Sequence, residues 1–344
     1  MHKGRITELF RGMDRHRALL MFLGAYLFLS LFAPHFFTFY NTTSLLKASS
    51  LNGIVAIGFT LIFILGELDL SVGAVVMLCG MLVPGLQPEL GWAGGILCAL
   101  LAGACIGLVN GLLVAKAGIS SFIVTLGMMV ILEGVMHIYS GGSSMSVASF
   151  GLADWLDRPL LPLLPPRVII TFALVGGASL FLQKTPLGRG FFIVGGDPEM
   201  AWRAGLNRDR YLILGFVICS VTAALGGALL AASLSSMTGD AVLATRTLMT
   251  VLAAVIIGGT PLTGGKGSVV KSYFAVLLLT TVSNGIGCFG LGFEVQMFAN
   301  GVILAAVVLY EAYVIYRHNL LKGQRPHLLA DLEQEQESNS RGSR

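Results

Sequence analysis

The chain alternates between long apolar runs and short polar connectors. Each run is close to the roughly 20 apolar residues that a helix needs to cross the hydrocarbon core of a bilayer. The runs, which have few or no charged residues, are centred in 18–38, 48–66, 70–88, 92–115, 119–139, 167–183, 211–235, 247–263, 270–288 and 295–316. This pattern predicts an all-α integral membrane protein with about ten transmembrane helices, contained in residues 18–316.

Polar segments flank this domain at both ends. Residues 1–17 are polar and basic, and the polar tail 317–344 has too few apolar residues to predict a fold. A basic segment before an apolar run could be a signal peptide. The first run ends in Ala33-Pro34-His35, not in a cleavage-site pattern, and further runs follow. We therefore expect an uncleaved first helix.

Composition and charge agree with this class. Hydrophobic residues make up 55% of the chain and charged residues 12%, whereas a soluble domain has about 25% charged residues. If ten helices cross the membrane with the N-terminus inside, most of the 22 lysines and arginines fall in inner segments. Because cytoplasmic connectors are enriched in basic residues, we expect both termini and the segment 184–210 in the cytoplasm.

The segment 184–210 contains the pattern of a short capped helix. Asp197 is a suitable N-cap and Pro198 suits the first helical position. Glu199 and Arg203 place opposite charges near the matching ends of the helix dipole, and Gly205 can end the helix in the left-handed conformation. From the residues alone, a solvated connector and a helix that docks on another protein are equally good interpretations.

Two stretches interrupt the apolar pattern. Residues 67–73 place Glu67 and Asp69 between two apolar runs, and we favour a tight cytoplasmic turn capped by Asp69 over carboxylates held within the membrane. Residues 258–268 are too rich in glycine to stay helical, so they must lie in protein or face water. Each stretch has a Leu-Ser or Leu-Thr pair and ends in Gly-x-Val-Val. Similar breaks in two parts of a chain indicate two weakly related halves, as in repeat-built transporters.

A few polar residues within the runs are candidates for lining a transport pathway. For lone amide side chains in helices, hydrogen bonding to a neighbouring helix is the favoured interpretation. The candidates are Asp69, Asn110, Thr125, Asn284 and Gln296.

Several kinds of site are not expected in this sequence. It has no Walker A motif, so no nucleotide site is expected in this chain. The five cysteines lie in apolar runs without metal-ligand spacing, which predicts neither a metal site nor a disulfide framework.

Several segments spread over roughly residues 45–315 form a recognisable series. They read Gly-Glu-Leu-Asp-Leu-Ser-Val-Gly at 66–73, Val-Asn-Gly at 109–111, Ser-Phe-Ile-Val-Thr-Leu-Gly at 121–127, Val-Gly-Gly-Asp-Pro-Glu-Met-Ala-Trp-Arg-Ala-Gly at 194–205, Val-Ile-Ile-Gly-Gly-Thr at 255–260, Gly-Gly-Lys-Gly-Ser at 264–268 and Ser-Asn-Gly at 283–285. Together they resemble the permease subunits of bacterial ATP-binding-cassette importers for ribose, xylose, galactose and related small sugars. The family usually has Asn where Asp197 stands, and both residues cap helices well.

This resemblance implies a multi-pass protein of the bacterial inner membrane that forms the pathway for a small sugar and is not itself an enzyme. It implies a cytoplasmic ATPase subunit that binds ATP and Mg, a periplasmic sugar-binding protein, a second permease copy or paralogue, and no cofactor in this chain and no nucleic acid. The ATPase would contact a coupling loop, residues 184–210, at Gly188, Arg189, Asp197, Pro198, Glu199, Arg203 and Gly205. Two alternatives remain at this point: an ion-coupled secondary transporter, and a membrane scaffold or receptor that moves no solute.

Overall fold

A computed structural model describes residues 2–292, 294–303, 305–306, 309 and 313, with side chains from residue 16 onward. The described chain is mostly helical. Its helices are α1 (His2–Phe32), α2 (Phe39–Ile64), α3 (Val72–Ala115), α4 (Ser121–Ser140), α5 (Gly151–Asp157), α6 (Pro166–Lys184), α7 (Pro186–Gly196), α8 (Pro198–Arg203), α9 (Arg208–Leu234), α10 (Ala241–Ile257) and α11 (Val269–Cys288). Two short strands, β1 (Met145–Ser146) and β2 (Ser236–Met237), pair antiparallel.

The chain divides into two units. The first, Met1–Met297, contains every labelled helix and strand. The second, Phe298–Arg344, is helical at 298–303, 305–306, 309 and 313. The predicted polar tail 317–344 and much of the predicted run 295–316 lie outside the described residues.

Six of the described helices are long and apolar enough to cross a membrane: α2, α3, α4, α6, α9 and α11. Shorter apolar helices cover His16–Phe32 and Ala241–Ile257. The 44-residue α3 consists of two helices that meet at Gly91, whose φ is 66°. A Cβ on Gly95 would lie 3.0 Å from the carbonyl oxygen of Val83, so the two parts fold back on each other. The separate runs 70–88 and 92–115 are therefore confirmed, whereas the total of ten spans stays a prediction.

Helix boundaries differ from the predicted runs where local capping overrides composition. Residues 2–17, which were predicted as part of a polar N-terminal segment, belong to α1. This helix departs from helical φ/ψ at His16 and ends at Phe32. The helix predicted in 247–263 begins earlier, because Asp240 accepts hydrogen bonds from the N–H groups of Val242 and Leu243. It stops at Ile257, before the glycine-rich break 258–268.

The packing of α3 against α9 depends on a stripe of small residues. Gly103, Gly107 and Gly111 recur every four residues and so share one face of α3. A Cβ on Gly107 would lie 2.5 Å from the carbonyl oxygen of Phe216, and one on Gly111 would lie 2.8 Å from Cα of Ile213. Glycine on one helix thus lets the backbone of its neighbour approach closely, as in other transmembrane helix pairs.

The segment between α4 and α6 is held in place by side chains. Asp157 at the end of α5 pairs with Arg167 at 2.6 Å and with Lys47 at 3.4 Å. Leu156 of α5 packs in an apolar cluster with Ile54 and Leu229. Helix α5, within the long connector between α4 and α6, therefore packs against α2, α6 and α9.

We predict that Gly227→Ala destabilises the protein by about 1–3 kcal/mol, the usual cost of overpacking a tight core. Gly227 lies on α9, and a Cβ there would overlap the carbonyl oxygen of Val76. Thermal unfolding of the purified protein in detergent measures the effect. Gly177→Ala is the matched control, since a Cβ at that α6 position meets nothing within 4 Å. Equal melting temperatures for the two variants would contradict the close contact.

Candidate functional site

The helix predicted in the segment 184–210 is present as α8. The Asp197 Oδ1 atom accepts hydrogen bonds from the N–H groups of Glu199 at 3.0 Å and Met200 at 2.9 Å, and Pro198 occupies the first helical turn. Arg203 pairs with Glu199 at 2.5 Å. Gly205 follows with a φ of 72°. The cap, the ion pair and the left-handed glycine all have the geometry that their spacing predicts.

One side of α8 is buried and the other is open. Ala201 is fully buried, whereas Met200 and Trp202 are exposed, Trp202 to 77%. Met200 and Trp202 lie about 200° apart, on the two flanks of α8, and exposed large apolar side chains are typical of a contact surface. Sequence reasoning from charges and caps missed Met200 and Trp202. The signal that could have found them is the pair of large apolar residues between Glu199 and Arg203.

The residues before α8 form a second helix, α7, where the sequence suggested a connector. Thr185 caps it by accepting from the N–H of Gly188 at 2.9 Å, and Pro186 provides the first turn. Gly188 is buried, and a Cβ there would overlap the carbonyl oxygen of Phe181. Arg189 is exposed and donates to the carbonyl oxygen of Lys184. Of the seven predicted coupling residues, Gly188 thus lies in the packing between α6 and α7, while the other six are exposed.

The end of α7 contacts both non-helical breaks through glycines, which we call the glycine junction: Gly66, Gly195, Gly196, Gly264 and Gly265. A Cβ on Gly195 would overlap the carbonyl oxygen of Ile64 at the end of α2. A Cβ on Gly264 would lie 2.5 Å from the carbonyl oxygen of Gly195 and 3.0 Å from Cα of Gly66. The N–H of Gly265 donates to the carbonyl oxygen of Ile64 at 2.8 Å.

The glycine junction therefore brings three distant parts of the sequence into backbone contact. The break after α2 and the break after α10 meet each other, and α7 ends against both. Asp197, the cap of α8, directly follows Gly196. Arg208 adds a link at the start of α9, where its guanidinium pairs with Glu67 at 3.2 Å. The chain from Asp197 is thus connected to both breaks mainly by backbone contacts between glycines.

Three of the five predicted pathway residues come together beside the first break. Asp69 and Asn110 are fully buried and meet through Ser71. Oδ1 of Asp69 accepts from N and Oγ of Ser71 at 2.9 and 2.5 Å, and Nδ2 of Asn110 donates to Oγ of Ser71 at 3.1 Å. Thr125 accepts from the N–H of Leu70 at 3.0 Å. These contacts order the turn, in line with the turn predicted around Asp69.

The other two predicted pathway residues lie elsewhere. Asn284 exchanges two amide hydrogen bonds with Asn41, at 2.8 and 2.9 Å, and so joins α11 to the start of α2. Gln296 is half-buried near Gly287. The structure does not bring these two residues together with Asp69, and a pathway role for all five residues stays a prediction.

We predict that Thr125→Val lowers the free energy of unfolding by about 1–3 kcal/mol, the cost of a buried donor without an acceptor. The valine keeps the shape of the side chain but cannot accept the hydrogen bond from Leu70, which Thr125 provides from a fully buried position. Thr125→Ser keeps the hydroxyl and is the matched control. Denaturation in detergent measures both. A valine variant as stable as the serine variant would show that this hydrogen bond does not hold the turn.

Known proteins resemble this chain over most of its length. The family described as the branched-chain amino acid transport system permease component matches residues 41–310. The ribose import permease protein RbsC of Escherichia coli (strain K12) is 33% identical over 301 residues, which cover 86% of this chain and 92% of that protein. RbsC of Bacillus subtilis (strain 168) is 30% identical over 305 residues, covering 84% and 91%.

A permease for a second sugar gives a similar match. The L-arabinose transport system permease protein AraH of Escherichia coli (strain K12) is 32% identical over 308 residues, covering 87% of this chain and 91% of that protein. No solved structure gives a significant match. Because the family match includes both breaks, the glycine junction and α8, the chain belongs to the family of branched-chain amino acid transport system permease components.

Proposed function

We propose that this chain is the transmembrane subunit of an ATP-driven importer and forms the pathway for a small sugar. The observation that carries the proposal is the near full-length similarity to permeases named for ribose and arabinose. The family description names branched-chain amino acids. We favour a sugar because RbsC and AraH, which match most of the chain at 30–33% identity, are named for sugars.

The architecture of the proposed importer follows from this function. The chain crosses the bacterial inner membrane about ten times with both termini in the cytoplasm, and it pairs with a second copy or a paralogue. A separate cytoplasmic ATPase binds ATP and Mg, and a periplasmic binding protein delivers the sugar. The excess of lysine and arginine in the segments assigned to the inside supports this orientation.

In this mechanism α8 is the helix that receives the ATPase. Its open side presents Met200 and Trp202 between the charged Glu199 and Arg203. The ATPase binds α8 differently in its open and closed states, and only such a difference in binding free energy can shift the permease between two conformations. The glycine junction passes the displacement of α8 to the breaks after α2 and α10, where helices can reorient without breaking regular backbone hydrogen bonds.

We predict that the double variant Glu199→Ala with Arg203→Ala folds normally but loses coupling to the ATPase. The two side chains are 73% and 69% exposed, and an exposed i,i+4 pair contributes only about 0.3–0.5 kcal/mol to stability. Sugar uptake by proteoliposomes and co-purification of the ATPase subunit measure the result. Lys116→Ala is the control, because it removes an exposed charge that lies outside the segment 184–210. Wild-type uptake and ATPase binding in the double variant would overturn the coupling role.

We further predict that Gly195→Ala separates ATP hydrolysis from transport. The added methyl group displaces α7 from Ile64 and opens the glycine junction, while the exposed side of α8 stays intact. The variant should therefore retain ATPase binding but lose at least about tenfold in sugar moved per ATP hydrolysed, which corresponds to 1.4 kcal/mol. Simultaneous measurement of uptake and phosphate release tests this ratio, with Gly177→Ala as the control. An unchanged ratio would show that the junction does not transmit the movement of α8.

A further inference from the structure

The helix α4 carries a carboxylate well inside an apolar segment. It spans Ser121–Ser140, and its 20 residues cover about 30 Å, the thickness of a hydrocarbon core. Glu133 lies about 10 Å from the end at Ser140. An ionised side chain at such a depth costs about 2.5–3.5 kcal/mol when it faces lipid, so intramembrane carboxylates normally face protein or water.

The surroundings of the other faces of α4 indicate what the side with Glu133 contacts. One face, with Thr125, Leu132 and Met136, is buried, and α4 packs against α3. A second face is entirely apolar and contains Ile131 and Ile138, the latter 85% exposed. This second face fits contact with lipid.

Glu133 and His137 are separated from the apolar face. They lie four residues apart and therefore share one face of the helix. Ile131 lies on the opposite side from Glu133, since two residues correspond to about 200° of helix rotation. Leu126, Met129 and Val130 also lie on the side of Glu133, so the two ionisable groups interrupt an otherwise apolar surface.

Among the residues that the structure describes, neither Glu133 nor His137 has a hydrogen-bond or ion-pair partner. Glu133 is half-buried and His137 is exposed. Met136, which precedes His137, lies beside Gly239 just before α10. A Cβ added to Gly239 would be 3.4 Å from Cβ of Met136. The face with Glu133 and His137 therefore lies next to the contact between α4 and the segment leading into α10.

We propose that Glu133 and His137 line the water-filled pathway and bind the hydroxyl groups of the sugar as it passes. A carboxylate accepts hydrogen bonds from two neighbouring hydroxyls, and an imidazole can donate to or accept from a third. Exposure to water avoids the cost of placing the carboxylate in lipid. This assignment rests on the proposed transport function and adds to it the two side chains that contact the solute.

Thiol labelling tests the exposure to water without measuring transport. Glu133→Cys, His137→Cys and the control Ile131→Cys are made in a background where the exposed Cys105 and the half-buried Cys98 and Cys288 are replaced by alanine. The full importer in membrane vesicles is treated with a membrane-impermeant methanethiosulfonate. We expect positions 133 and 137 to react at least tenfold faster than position 131. Equal rates at 133 and 131, as expected for burial in lipid or against a second permease copy, would overturn the proposal.

Uptake tests the binding of sugar. Glu133→Leu should lower ATP-driven uptake of ribose or arabinose by about tenfold or more, while Glu133→Gln, which keeps an acceptor, should lose less. Ile131→Leu is the control and should transport normally. Wild-type uptake by Glu133→Leu would overturn the binding role. If the wild-type importer itself shows no ATP-dependent uptake, the proposed function fails, whereas the labelling rates still decide whether Glu133 faces water.

Discussion

The non-helical backbone inside an apolar chain is the constraint on which the rest of the structure depends. An unpaired backbone group away from water is costly, so the buried N–H and C=O groups of the breaks after α2 and α10 need hydrogen-bond partners from the protein. Thr125 and Ser121 of α4 accept from the N–H groups of Leu70 and Leu68. Arg17 of α1 donates to the carbonyl oxygens of Ile256 and Ile257 at the end of α10. Both breaks are thus stabilised by specific side chains of other helices.

The same constraint explains the use of glycine. A break satisfied by neighbouring backbone requires those neighbours to approach closely, and a Cβ would prevent this at Gly195 and Gly264. The result is a junction in which α7 and the two breaks are in direct backbone contact. The proposed function uses this property, because a helix that receives an ATPase must pass its displacement on to the parts of the permease that form the pathway.

Much of this arrangement could be predicted from the sequence, and the remainder could not for physical reasons. The apolar runs and the cap at Asp197 are local signals, and they located the helices and α8. The contact between Gly66 and Gly264 joins residues far apart in sequence, and no local signal reports it. The helix α7 was not predicted, and its glycines allow close packing against neighbouring backbone. The hydrogen bonds of Asn284 with Asn41 on another helix could not be foreseen from local sequence, and its pathway role stays a prediction.

The central claim is that the open side of α8 receives the ATPase subunit. It is tested most directly by placing the photoreactive amino acid p-benzoylphenylalanine at position 202, where Trp202 is exposed, in the assembled importer. The account predicts a crosslink to the ATPase subunit whose yield changes when ATP is added, and no such crosslink from the same amino acid at position 155 in α5. An importer that transports sugar normally but gives no crosslink from position 202 would contradict it.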